Sequence, residues 1–142
     1  MLESERSIFA VLDQLGFRRF AVLTGRDLRI EVGLRPEPAV YVALLENRVF
    51  WVGETGDAKR RFGDYRRWFT LPDDSPRADV RTRNLLIETV GSRPLTFFLK
   101  EPMTIWSELT GKEYPAHRVE ETVLIDYFQP AWNTRRGGRS RG

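Results

Sequence analysis

A chain of 142 residues is long enough for one hydrophobic core and too short for two ordinary ones. Apolar and aromatic contents of 41% and 12% are those of a folded domain, and the absence of cysteine together with a single histidine, His117, argues against disulfides, thiolate chemistry and a zinc centre. The net charge is only +3, yet of the 23 basic residues just Lys59, Lys100 and Lys112 are lysine. Such an arginine bias suits bidentate phosphate contact, and a GC-rich coding sequence would produce it equally well. No apolar run approaches the ~20 residues of a membrane helix, and acids stand among the first residues where a signal peptide carries bases. The expectation is a cytoplasmic protein with no membrane segment.

Taken in chain order, Ser4 is placed to cap a helix in which Ile8, Phe9, Val11, Leu12 and Leu15 recur at helical spacing and which Gly16 ends. Residues 17–23 and 28–34 flank the turn "TGRD" as a hairpin, with Leu28, Ile30 and Val32 alternating with wetter positions. The stiff "RPEP" at 35–38 marks a boundary, so that 1–35 reads as an N-terminal extension of helix and hairpin. "AVYVALL" and "VFWVG" form a second hairpin, and Asp57 caps the helix after it, with Ala58, Phe62, Tyr65 and Phe69 on one face. A helix over 79–91, a strand over 94–100, a short helical piece over 104–111 and a last helix over 116–128 complete the order, with Pro115 in the first turn of that last helix. The core is then a small α/β (α+β) domain, 36–133, with a three-stranded, mainly antiparallel sheet flanked by helices. Residues 134–142, rich in arginine and lacking acid, read as a disordered basic tail.

Three stretches offer chemistry. In "VFWVGETGDAKRRF" an apolar strand ends in a glycine turn and three cations follow at once. Arg61 and Tyr65 share a helical face above that turn, an arrangement suited to a phosphate oxygen, while a solvated helix face would explain the charges alone. The stretch is not a phosphate loop of the Walker type, because the lysine pattern is missing. In the last helix Glu121 lies on a stripe leading to Ile125 and Phe128, so its carboxylate needs a cation or a metal. Glu120 is equally acid, and helical geometry does not choose between them. His117, one turn earlier, reads as a surface residue. "FQPAWNTRRGG" is a turn anchored by Trp132 and followed by Asn133.

Together these stretches resemble the GIY-YIG nuclease family over roughly 39–133. "AVY" is similar to the first motif and puts its tyrosine at Tyr41. "WVGET" with Arg61 is similar to the second motif and its arginine, and Tyr65 stands where members carry histidine or tyrosine. "ETVLIDYFQPAWN" resembles the segment opened by the family's essential glutamate, which selects Glu121 over Glu120. Trp51 replaces the second-motif tyrosine, Ala39 and Val40 replace Gly-Ile, and Glu54 stands where some members carry lysine. The resemblance implies a GIY-YIG-like fold and a metal-dependent DNA endonuclease using Mg²⁺ or Mn²⁺, with Glu121 as the metal ligand. It further implies Arg61 on the non-bridging oxygens, Tyr65 orienting phosphate or water, and Tyr41 as general base, its phenolate favoured by Arg61. Trp51, Gly53, Thr55, Lys59, Arg60 and Asn133 are the remaining expected phosphate and DNA contacts. The alternative is a nucleic-acid-binding module on the same scaffold that does not cut.

Overall fold

A computed structural model of the chain describes residues 7–77 and 79–135. Helix α1 (Ile8–Leu15) is capped by Ser7, whose side chain accepts from Phe9 N–H, and it ends at Gly16, where φ is +97°. The cap expected at Ser4 lies outside the described residues. Strands β1 (Arg18–Thr24) and β2 (Asp27–Ile30) form the first hairpin, β3 (Ala39–Leu45) and β4 (Arg48–Thr55) the second. Helices α2 (Ala58–Thr70) and α3 (Val80–Val90) lead to β5 (Leu95–Lys100). A small hairpin of β6 (Thr104–Ser107) and β7 (Lys112–Pro115) precedes α4 (His117–Phe128) and the short α5 (Ala131–Arg135). The basic tail expected from 134 lies outside the described residues from 136 onward.

The fold is α+β with an antiparallel sheet, as expected, but the sheet has five strands in the order β2-β1-β5-β3-β4 rather than three. The N-terminal hairpin joins the core sheet because β1 pairs antiparallel with β5, Leu23 opposite Leu95. A second correction concerns 104–115, where a helical piece and a helix-initiating Pro115 were expected. Those residues are the β6–β7 hairpin, Pro115 is paired with Thr104, and Ala116 precedes the helix.

Helices cover both faces. Tyr41, Ala43 and Leu45 of β3 point into one cluster with Phe62 and Phe69 of α2, Leu86 and Val90 of α3, and Trp132 of α5. Val40, Val42 and Leu44 point into another with Leu12 of α1 and Leu124 of α4. Every residue of β3 is consequently buried, which is why its sequence is continuously apolar rather than alternating. A bulge where Ala43 faces Trp51 and Leu44 faces Val49 leaves Phe50 as an extra residue on β4. The bulge sends Phe50 and Trp51 into the same cluster, where Phe50 stacks on Trp132 at 5.9 Å.

Candidate functional site

The site is assembled where β3 and β4 pass under α2. Tyr41 of β3 lies opposite Gly53 of β4 in the strand register. A methyl group on Gly53 would run into the Tyr41 phenol ring, so glycine is what lets that ring lie across the neighbouring strand. The Tyr41 hydroxyl meets the Tyr65 hydroxyl at 2.7 Å. Phe62 supports Tyr41 edge-on at 4.9 Å, and Trp51 packs 5.4 Å from the Tyr65 ring. Arg61, one turn before Tyr65 on α2, holds its guanidinium 5.9 Å from the Tyr65 ring centroid and donates to the Glu54 carbonyl at 3.3 Å.

Burial dominates the charge state of Tyr41 but not that of Arg61. Desolvation pushes the Tyr41 phenol well above its ordinary value, Tyr65 adds to the rise, and Arg61 offsets only part of it. Tyr41 is therefore a neutral phenol at physiological pH, and the expected assistance of its phenolate by Arg61 is outweighed. Partial burial works against the Arg61 charge, but the two phenols outweigh it and hold the guanidinium above its ordinary value.

The turn after β4 uses its own polar groups. Thr55 Oγ1 accepts from Asp57 N–H at 3.0 Å and donates to the Asp57 carbonyl at 3.1 Å, while the Asp57 carboxylate caps α2 by accepting from Arg60 N–H. Lys59 and Arg60 are exposed on α2. Asn133 reaches the free edge of the sheet and pairs with Val52 like another strand residue. Its Oδ1 accepts from Val52 N–H and its Nδ2 donates to Val52 C=O, both at 2.9 Å. The amide thereby ties α5 to the strand between Trp51 and Gly53.

Glu121 is buried, 2% exposed, on α4, whose Leu124 packs against the face of the sheet opposite the tyrosines. The two halves are joined through Glu54. Its carbonyl holds Arg61, and its carboxylate lies 3.7 Å from His117 Nε2, one helical turn before Glu121. His117 is not the surface residue its sequence suggested, since its side chain is only 17% exposed. Glu120 has a different task, accepting from Lys100 and from Met103 N–H and so fastening α4 to the end of β5. Sequence reasoning registered Glu54 only as a departure from a pattern, and the signal for its joining role is strand parity, which turns it away from Gly53 and Thr55.

Among the described residues no three His, Cys, Asp or Glu side chains converge as a metal cage. A single buried carboxylate suits a hard divalent ion that keeps most of its waters, the habit of Mg²⁺.

No family model matches the sequence, and no curated protein matches it either. The fold is shared with a solved structure of bacteriophage T4 EndoII (a mutant form), at a TM-score of 0.65 and 15% identity, over 90% of this chain and 99% of that one. A restriction endonuclease, HPY188I in complex with product DNA, aligns at a TM-score of 0.48 and 15% identity over 99% of this chain and 87% of that one, too loosely to build on. Among the described residues no helix is long and apolar enough to cross a membrane.

Proposed function

We propose that the chain is a metal-dependent DNA endonuclease of the GIY-YIG type. The observation that carries the reading is the hydroxyl pair of Tyr41 and Tyr65 at 2.7 Å beside the Arg61 guanidinium. It stands on a fold shared with a protein whose name, EndoII, marks it as an endonuclease. A fixed guanidinium and a phenol are what a phosphodiester needs at its non-bridging oxygens.

In the reaction a water adds to phosphorus and one ester P–O bond breaks, leaving a phosphate end and a hydroxyl end. Arg61 binds the anionic oxygens and stabilises the charge that gathers there. Tyr65 orients the phosphate or the water, and Tyr41, a neutral phenol, fixes the Tyr65 hydroxyl by hydrogen bonding. Glu121 holds Mg²⁺ or Mn²⁺, which when bound neutralises developing charge and makes a water more acidic. Asn133 keeps the last helices in register with β4, and exposed Lys59 and Arg60 approach the strand backbone.

One observation favours the non-cutting alternative. Trp51, where the family motif has a tyrosine, is buried at 3% exposure and brings no hydroxyl to the site. A plasmid-nicking assay with Mg²⁺ or Mn²⁺, and with chelator as control, separates the two readings. The endonuclease nicks only with metal, and Glu121→Gln and Arg61→Ala lose at least about 100-fold, the scale of a lost transition-state contact. Glu120→Gln, which touches Lys100 instead, keeps cleavage within a few-fold. Equal loss from Glu120→Gln and Glu121→Gln would overturn the metal assignment, and a wild type that binds DNA without nicking it would establish the binding module.

A further inference from the structure

Beside the tyrosine pair lies a cleft of about 360 Å³, within the size range of small-ligand pockets. Trp51 and Trp132, at 3% and 1% exposure, are its most buried lining. Tyr65 and Trp68, three residues apart on α2, add two partly buried rings set 5.9 Å apart and tilted by 40°. Arg61 lines the same cleft. Two polar atoms belonging to its lining are buried and without a hydrogen-bond partner among the described residues, the donor Trp68 Nε1 and the acceptor Asp79 Oδ1. The other Asp79 oxygen is engaged, accepting from Arg77 Nη2 at 2.8 Å.

We propose that this cleft receives one nucleobase, unstacked from the DNA strand whose phosphate Arg61 holds. The proposal rests on the nucleic-acid reading given above and adds a base subsite to it. Tyr65 and Trp68 are the partly exposed rings a planar heterocycle can reach, with Trp51 and Trp132 as the buried apolar floor behind them, and stacking of that kind is tolerant of base identity. A base also carries on one edge both an acceptor for the indole N–H and a donor for the carboxylate oxygen, so it can satisfy the two orphaned atoms together. The lining cations are already engaged, Arg77 by Asp79 and Arg61 beside the tyrosines, and Asp64 is paired with Arg67, so among the described residues the cleft has no unpaired cation to draw in a second phosphate. The neutral ring of the nucleotide is therefore the part that enters, while its phosphate stays with Arg61.

The test uses two single strands of equal length and equal phosphate number, one of thymidylate and one of abasic tetrahydrofuran units. Binding is measured with Ca²⁺ in place of Mg²⁺, and the quantity read is the ratio of the two affinities, which cancels any general loss of affinity. Wild type should prefer the thymidylate strand about tenfold, and Trp68→Ala should bring the ratio close to one. Trp68→Phe keeps one ring to stack on, with a small loss of packing, and loses the N–H, so it should lower the ratio about threefold. A ratio unchanged in Trp68→Phe and Trp68→Ala, or a wild type that binds both strands alike, overturns the base subsite and leaves the nuclease reading standing. A wild type that binds neither strand yet nicks plasmid also overturns the subsite alone. One that neither binds nor nicks overturns both.

Discussion

Tyr41 shows how one residue can be central to a site and unavailable for the role its type suggests. A phenol in water ionises near 10, but burial and Tyr65 hold Tyr41 protonated well above that. In the unfolded chain the same phenol gives up its proton from about pH 10. The folded state then binds more protons than the unfolded one, so stability falls as pH rises past ~10 and is unaffected below it. Tyr41→Phe removes this contribution. Urea melts at about pH 9 and about pH 11 should show a smaller alkaline loss in the variant, by up to ~1.4 kcal/mol per pH unit. The variant should also carry a pH-independent loss of ~1 kcal/mol for the missing hydrogen bond. Trp51 makes the complementary case. Trp51→Tyr returns a hydroxyl beside Tyr65 and leaves a small void, at a cost of about 1–2 kcal/mol. Nicking assays should find its activity equal to or above wild type, and a fall below the Arg61→Ala level would mean that the indole itself is required.

At the scale of elements, the C-terminus of α2 depends on a buried cation from the next helix. Arg83 of α3 is fully buried and donates through Nη1 to the carbonyls of Trp68, Phe69 and Leu71 at 2.9, 3.2 and 2.6 Å, and through Nη2 to Asp73. A helix end is short of backbone donors for such carbonyls; Trp68 C=O also accepts from Leu71 N–H at 3.3 Å and Leu71 C=O from Arg26 Nη1 at 3.5 Å. Arg83→Met fills the same space but removes the guanidinium from all three and from Asp73, and should cost about 3 kcal/mol. Chemical denaturation should show a lower midpoint with an unchanged slope; a shift under ~0.5 kcal/mol would mean that water replaces the guanidinium. Nothing in "RTRNLLIETV" announces this, because an arginine on a helix reads as solvated until the neighbouring helix end is known. Local pattern did predict β3 and β4 from their apolar runs, α2 from its apolar face and its Asp57 cap, and the last helix from its apolar spacing, though not its start. It missed β6–β7 for the opposite reason. Thr104, Ile105 and Trp106 are exposed, so no buried face imprints a period on them. Arg61 and Tyr65 were legible through spacing along one helix, whereas Tyr41 entered only through the resemblance of "AVY" to a family motif. The Glu54–His117 link and the Asn133–Val52 pairing join residues 63 and 81 positions apart, beyond the reach of a periodicity.

Across the whole molecule, charge and connectivity set the remaining expectations. Most basic residues are arginine, and four of them lie in the last eight residues. If DNA is the partner, each neutralised phosphate releases counterions and affinity falls steeply with salt. Removing residues 136–142 takes three arginines away, and the slope of log affinity against log salt should fall by up to about 3 while nicking persists. An unchanged slope would show that those charges do not reach the strand.

Connectivity concerns time rather than charge. The only partners of β1 in the five-stranded sheet are β2, its hairpin neighbour, and β5, which begins 71 residues after β1 ends. A chain emerging from a ribosome at ~5–20 residues per second therefore presents Phe20, Leu23 and Leu28 roughly 4–14 s before their sheet is ready. A two-stranded hairpin is marginal by itself, so during that interval this hairpin lacks the strand that pairs with its inner edge. β5 lies between β1 and β3, so the two hairpins become one sheet only once β5 is available. The last strand of the sheet to be made is thus the one that joins the earliest hairpin to the rest.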